Sequence, residues 1–120
     1  MVRTAFAHDA VVDMEYDTDL SGPGGAVTLA LCGAFDHPPP CPVAPHATRA
    51  DRQPGGVAVR VLFATEAVCE VDVRRQIDEA LAGGSCVGPD GTRTQWTLRS
   101  SAPGTVTEPE RAHAARLIDS

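Results

Sequence analysis

Val57–Thr65, VAVRVLFAT, and the segment Glu70–Ala82, EVDVRRQIDEALA, set the architecture of this chain. In the first, Val57, Val59, Val61 and Phe63 recur at every second position, as a β-strand requires. Ala58, Leu62 and Ala64 make the opposite face nearly as apolar, which predicts a central strand covered on both sides. Arg60 interrupts that second face and is expected to reach the rim of the sheet. In the second segment the spacing changes to that of a helix: Val73, Ile77, Ala80 and Leu81 fall on one side, with Arg74, Arg75, Asp78 and Glu79 towards water. Glu70 and Asp72 suit the positive end of that helix, and Gly83-Gly84 supplies its stop.

Towards the C-terminus, a turn around Gly88-Pro-Asp-Gly91 leads into Thr94–Ser100. There Trp96 and Leu98 alternate with Gln95, Thr97 and Arg99, as in a strand with one wet face. Thr107-Glu-Pro-Glu110 is a capping box with proline in the first turn. A last helix follows, with Ala114, Leu117 and Ile118 inward and His113 outward. Towards the N-terminus, Ala26–Cys32 (AVTLALC) keeps Val27, Leu29 and Leu31 in phase and reads as a strand after the turn SGPGG. Ala10–Tyr16 alternates Val12, Met14 and Tyr16 with Asp13 and Glu15, an edge strand with an acidic face, while residues 1–9 show no period and are expected to be flexible.

These elements predict one α+β domain over residues 10–120, in the order (β)ββαβα. Its sheet of three or four strands, mixed or antiparallel, carries two helices on one face. The strand–helix–strand unit from Val57 to Ser100 fits a right-handed crossover. Val59, Val61, Phe63, Ile77, Leu81, Trp96 and Leu98 are expected to share the core.

Chemistry concentrates in the loop that spans residues 32–56, and above all in CGAFDHPPPCPVAPH, residues 32–46. Two cysteines and two histidines alternate there: Cys32, His37, Cys41 and His46. Zinc favours four tetrahedral ligands, and two thiolates with two imidazoles form a closed set. The intervening prolines stiffen the loop, so less entropy is lost when an ion closes it. Asp36 is a candidate acceptor for an imidazole N–H. The alternating order differs from familiar zinc patterns, which begin with C-x2-C or end with H-x3–5-H. The competing structural reading makes Cys32 a buried small hydrophobe and leaves the other three residues on a surface loop.

From Cys32 to Leu81 the chain resembles small uncharacterised proteins of high-GC, actinobacterial-type bacteria. In these a strand, a Cys/His/Pro-rich loop, a second strand and a helix follow in order. The resemblance implies no activity. All ten basic residues are arginine, and lysine and asparagine are absent, a bias that accords with high-GC coding.

The net charge of −6 disfavours nucleic acid and anionic membrane surfaces as partners. His8, Asp9 and Asp13 interrupt any leader-like apolar run at the start, so the cytoplasm is the expected location. Cytosolic cysteines serve more often as metal ligands or free thiols than in disulfides. No phosphate-cradling loop, dinucleotide fingerprint or nucleophile elbow is present.

The expected function is therefore non-enzymatic binding or regulation, with one structural Zn(II) held by Cys32, His37, Cys41 and His46. The partner is the metal ion, with a protein partner left open. The first alternative is exchangeable handling of Cu(I) or Zn(II), as a buffer, chaperone or sensor. The second is a metalloenzyme or a thiol enzyme using Cys69 at the start of its helix.

Overall fold

The computed structural model describes residues 2–15, 18–33 and 44–119. The class is α+β. Its principal sheet has four antiparallel strands, β1 (Arg3–Asp13), β2 (His46–Gln53), β3 (Gly56–Glu66) and β6 (Thr97–Gly104), in the spatial order β2-β3-β1-β6. Helices α1 (Ser21–Cys32), α2 (Glu70–Ala82) and α3 (Arg111–Ile118) pack on it. A small hairpin of β4 (Ser85–Val87) and β5 (Arg93–Gln95) lies between α2 and β6.

Because β3 sits between β1 and β2 and is antiparallel to both, β1 and β2 run parallel and are joined through α1. By the same logic β3 and β6 run parallel on either side of β1, joined through α2. The crossover expected from Val57 to Ser100 is thus present, with a third strand inserted into it. Two interleaved units of this kind make the split β-α-β connectivity called ferredoxin-like. Connectivity of this sort hosts many functions and implies none.

Three sequence expectations are corrected. Residues 21–32 form helix α1, where a turn and a strand were expected. The four-residue spacing of Pro23, Val27 and Leu31 carries the buried side, with Gly24, Ala26 and Cys32 beside it. Pro23 costs no hydrogen bond there, because first-turn amides have no partner within the helix. Gly33, in the left-handed region at φ 78°, ends the helix, its N–H bonded to the Leu29 carbonyl at 2.9 Å. Leu29, expected inward, is 36% exposed. Next, β1 begins at Arg3, so most of the stretch expected to be flexible is the first half of an inner strand. Lastly, the expected loop of residues 32–56 contains edge strand β2. It pairs with β3 across the Pro54-Gly55 turn, where Gly55 has φ 91°.

The pair of helices sharing a face also differs from the expected pair. Val57, Val59, Val61 and Phe63 of β3, with Ala10 and Val12 of β1, meet Val27 and Leu31 of α1 and Val73, Ile77 and Leu81 of α2. Ala7, Leu62 and Ala64 on the other face meet Leu117 of α3. Both faces of β3 are therefore covered, as its two apolar faces required. Trp96 is buried against the first cluster, its indole N–H donating to the Leu81 carbonyl at 2.8 Å, and Leu98 packs partly buried against it. The capping box holds at α3: the Thr107 N–H donates to Glu110 Oε1 at 2.9 Å. Arg60 reaches the rim, as expected. It donates to Glu110 Oε2 at 2.9 Å and to Asp9 Oδ1 at 2.8 Å, tying the start of α3 to the sheet.

Candidate functional site

Of the four predicted ligands, Cys32 and His46 are described; His37 and Cys41, with Asp36, lie outside the described residues. Cys32 is the last residue of α1 and His46 the first of β2. The helix end and the sheet edge bring them together, with Cys32 Sγ 3.6 Å from His46 Nδ1. Zn–S and Zn–N bonds of about 2.3 and 2.05 Å at the tetrahedral angle separate sulfur from nitrogen by about 3.6 Å, the same span. Among the described residues, Thr28 and Ala44 also hold His46. Its Nε2 lies 3.0 Å from Thr28 Oγ1 and its Nδ1 lies 3.1 Å from the Ala44 carbonyl oxygen. A carbonyl only accepts, so Nδ1 carries the proton in this arrangement and Thr28 donates to Nε2.

Cys32 is disulfide-bonded. Cys69, exposed, and Cys86, buried, are free thiols. Burial pushes the Cys86 thiol up from its ordinary range, away from the thiolate that metal binding or nucleophilic attack requires. Among the described residues, no three His, Cys, Asp or Glu side chains form a group able to hold a metal ion.

A second cluster escaped the sequence reading. His8, on the face of β1 that α2 covers, is only 2% exposed. Its Nε2 lies 3.0 Å from Asp78 Oδ1 and 2.7 Å from Ser101 Oγ, and Arg74 approaches Nδ1 at 3.0 Å. Ser101 also donates to Asp78. Serine, histidine and aspartate in contact invite comparison with a catalytic triad, but the arrangement is wrong for one. A guanidinium only donates, so Nδ1 must accept, and the single proton of the neutral ring sits on Nε2. Nε2 therefore cannot take a proton from Ser101, as a general base must. Desolvation is the main cause that lowers the His8 pKa below 6.5, and the Arg74 charge adds to it, against the pull of Asp78. Arg74 is itself fixed by the Ala7 carbonyl at 2.8 Å and Glu70 at 2.8 Å, and lies over the rings of Phe6 and Phe63. The network is a polar clasp between α2, β1 and β6. The signal available for it was the even spacing of Phe6, His8, Ala10 and Val12.

No protein-family model, curated protein or solved structure matches this chain.

A cleft of about 440 Å³ lies between the first turn of α1 and the β4–β5 hairpin, near Cys32 and His46. Thr28, which holds His46, is also one of its lining residues. No helix among the described residues is long and apolar enough to cross a membrane.

Proposed function

We propose that this chain is a small metal-binding protein that holds one Zn(II) through Cys32, His37, Cys41 and His46 when its cysteines are reduced. Binding or regulation, not catalysis, is its task. The observation that carries this reading is the Cys32–His46 pair, already at the spacing of two tetrahedral zinc ligands. Thr28 supports it further. Its hydroxyl can donate to or accept from Nε2, so His46 can release Nδ1 to a metal while keeping its orientation, as an outer partner of a ligating histidine must. A closed four-ligand site would cross-link the end of α1 to the start of β2 and add its binding energy to folding.

The disulfide at Cys32 favours the exchangeable form of this function, with Zn(II) or Cu(I) as cargo. A sulfur committed to a disulfide cannot be a thiolate ligand, so oxidation and metal binding exclude each other. A cellular dithiol would supply two electrons and two protons, breaking the S–S bond into two thiols while closing into its own disulfide. Each thiol then loses its proton on binding metal.

The test is metal content against redox state. Protein reduced with a phosphine, loaded with zinc and desalted without oxygen should retain about one equivalent, and diamide-oxidised protein essentially none. Cys32→Ser, Cys41→Ser, His37→Ala and His46→Ala should each lower occupancy, whereas Cys69→Ser and Cys86→Ser should not. A mild chelator separates an exchangeable site, which empties, from a structural one, which resists. Reduced protein that is folded and metal-free after loading would refute the proposal.

A further inference from the structure

The cleft beside α1 has a chemistry of its own. Its wall is built where threonines lie directly against helix glycines. A Cβ on Gly22 would stand 2.5 Å from Thr94 Cγ2, and one on Gly24 would stand 2.5 Å from Thr48 Oγ1. Glycine weakens a helix by about 1 kcal/mol relative to alanine, so its use at both positions opposes helix formation and serves this close approach.

The cleft is unsuited to anions although a helix begins in it. Among the described residues neither arginine nor histidine lines it, while Asp19 and Asp90 both do. The amides that would face an anion are already used: the Ser21 N–H donates to Asp19 Oδ1 at 2.9 Å and the Gly22 N–H to the Asp19 carbonyl at 3.4 Å. Pro23 has none to offer. Backbone hydrogen bonds from Ser21 and Thr92 hold the Asp19 and Asp90 carboxyls below their ordinary range, so both are charged at neutral pH. Deeper in, Thr94 is 7% exposed and its hydroxyl makes no side-chain hydrogen bond among the described residues. Among the described residues no fully buried side-chain polar atom lacks a partner, so this oxygen opens onto the cleft. A metal ion would need several oxygens converging within about 2.6 Å, and the described residues contain no such acidic group.

We propose that this cleft binds a small organic cation bearing an ammonium group, with Asp19 and Asp90 accepting its N–H bonds at the rim and Thr94 taking a further polar hydrogen inside. The carbon stem would lie on Gly22, Gly24 and Pro89. A volume of about 440 Å³ is near the lower end for ligand pockets, which limits the occupant to a small metabolite. The site does not depend on the metal reading.

The experiment is an amide-resolved NMR titration of the full chain with 1,5-diaminopentane. Its neutral analogue 1,5-pentanediol, the dianion glutarate, and calcium chloride serve as comparisons. Saturable shifts confined to the first turn of α1 and residues 92–94 are expected for the diamine alone. Asp19→Asn and Asp90→Asn, which keep their turn-capping capacity, should each weaken binding about tenfold or more, as loss of a charged hydrogen bond does. Thr94→Val should weaken it as well. Absence of saturable shifts, equal binding of the diol or glutarate, or indifference to both aspartate substitutions would overturn the proposal. So would calcium reproducing the shifts without competition from the diamine.

Discussion

Acidification should destabilise the fold through the clasp around His8. In the folded chain the ring is neutral, its Nδ1 facing Arg74 and its Nε2 facing Asp78 and Ser101, with Asp9 the remaining charge nearby. Protonation would place a second N–H against the guanidinium. Burial first, and then Arg74, hold the folded-state pKa below 6.5. The unfolded chain takes up the proton near pH 6.5 and the folded chain at a lower pH, so the unfolded state binds more protons in between. Stability is therefore complete above pH 6.5 and falls as pH drops towards the folded pKa. If the folded ring stays neutral throughout, the loss between pH 7.5 and 5.5 reaches about 1.4 kcal/mol. For a domain of this size that lowers the melting temperature by about 4–6 °C. Urea denaturation at half-unit pH steps measures it, with His8→Gln as the control. Glutamine can accept from Arg74 and donate to Asp78 and Ser101 without titrating, so the difference between the two pH profiles belongs to His8. Parallel profiles, or a wild type that gains stability on acidification, would refute the reasoning.

Three further outcomes are expected. Ile77→Ala, at a fully buried position of α2, should cost about 2–5 kcal/mol in denaturant unfolding. Gly22→Ala gains about 1 kcal/mol of helix propensity but drives a methyl into buried Thr94, an overpacking cost of about 1–3 kcal/mol; calorimetry should show net destabilisation. Glu110, held down to about 2 chiefly by Arg60, stabilises the fold above its ordinary 4.5 and loses that effect as pH falls towards 2. Glu110→Gln should therefore flatten the unfolding profile in that strongly acid window alone.

The sequence by itself determined the elements whose periodicity and end signals agree. β3 has alternation on both faces, α2 has the Val73–Ile77–Leu81 stripe between acidic first-turn residues and a glycine stop, and α3 has a capping box. Those signals are local, and local physics suffices to form them. Residue type and spacing, visible in one dimension, also grouped Cys32, His37, Cys41 and His46, and of these the fold brings Cys32 and His46 into contact. Only the tertiary structure decided α1, β2 and β1. Residues 21–32 satisfy a strand's alternation and a helix's four-residue spacing at once. Helix prevails because it buries Val27 and Leu31 against β3 and lets glycine meet Thr94 and Thr48. β2 is a polar edge strand whose order comes from pairing with β3, not from burial of its own side chains. His8 reads as polar in sequence, and its burial becomes affordable only when Arg74, Asp78 and Ser101 arrive from elements more than sixty residues away. Hydrogen bonds that span such distances leave no period in the chain, which is why the clasp around His8 and the cleft beside α1 belong to the fold alone.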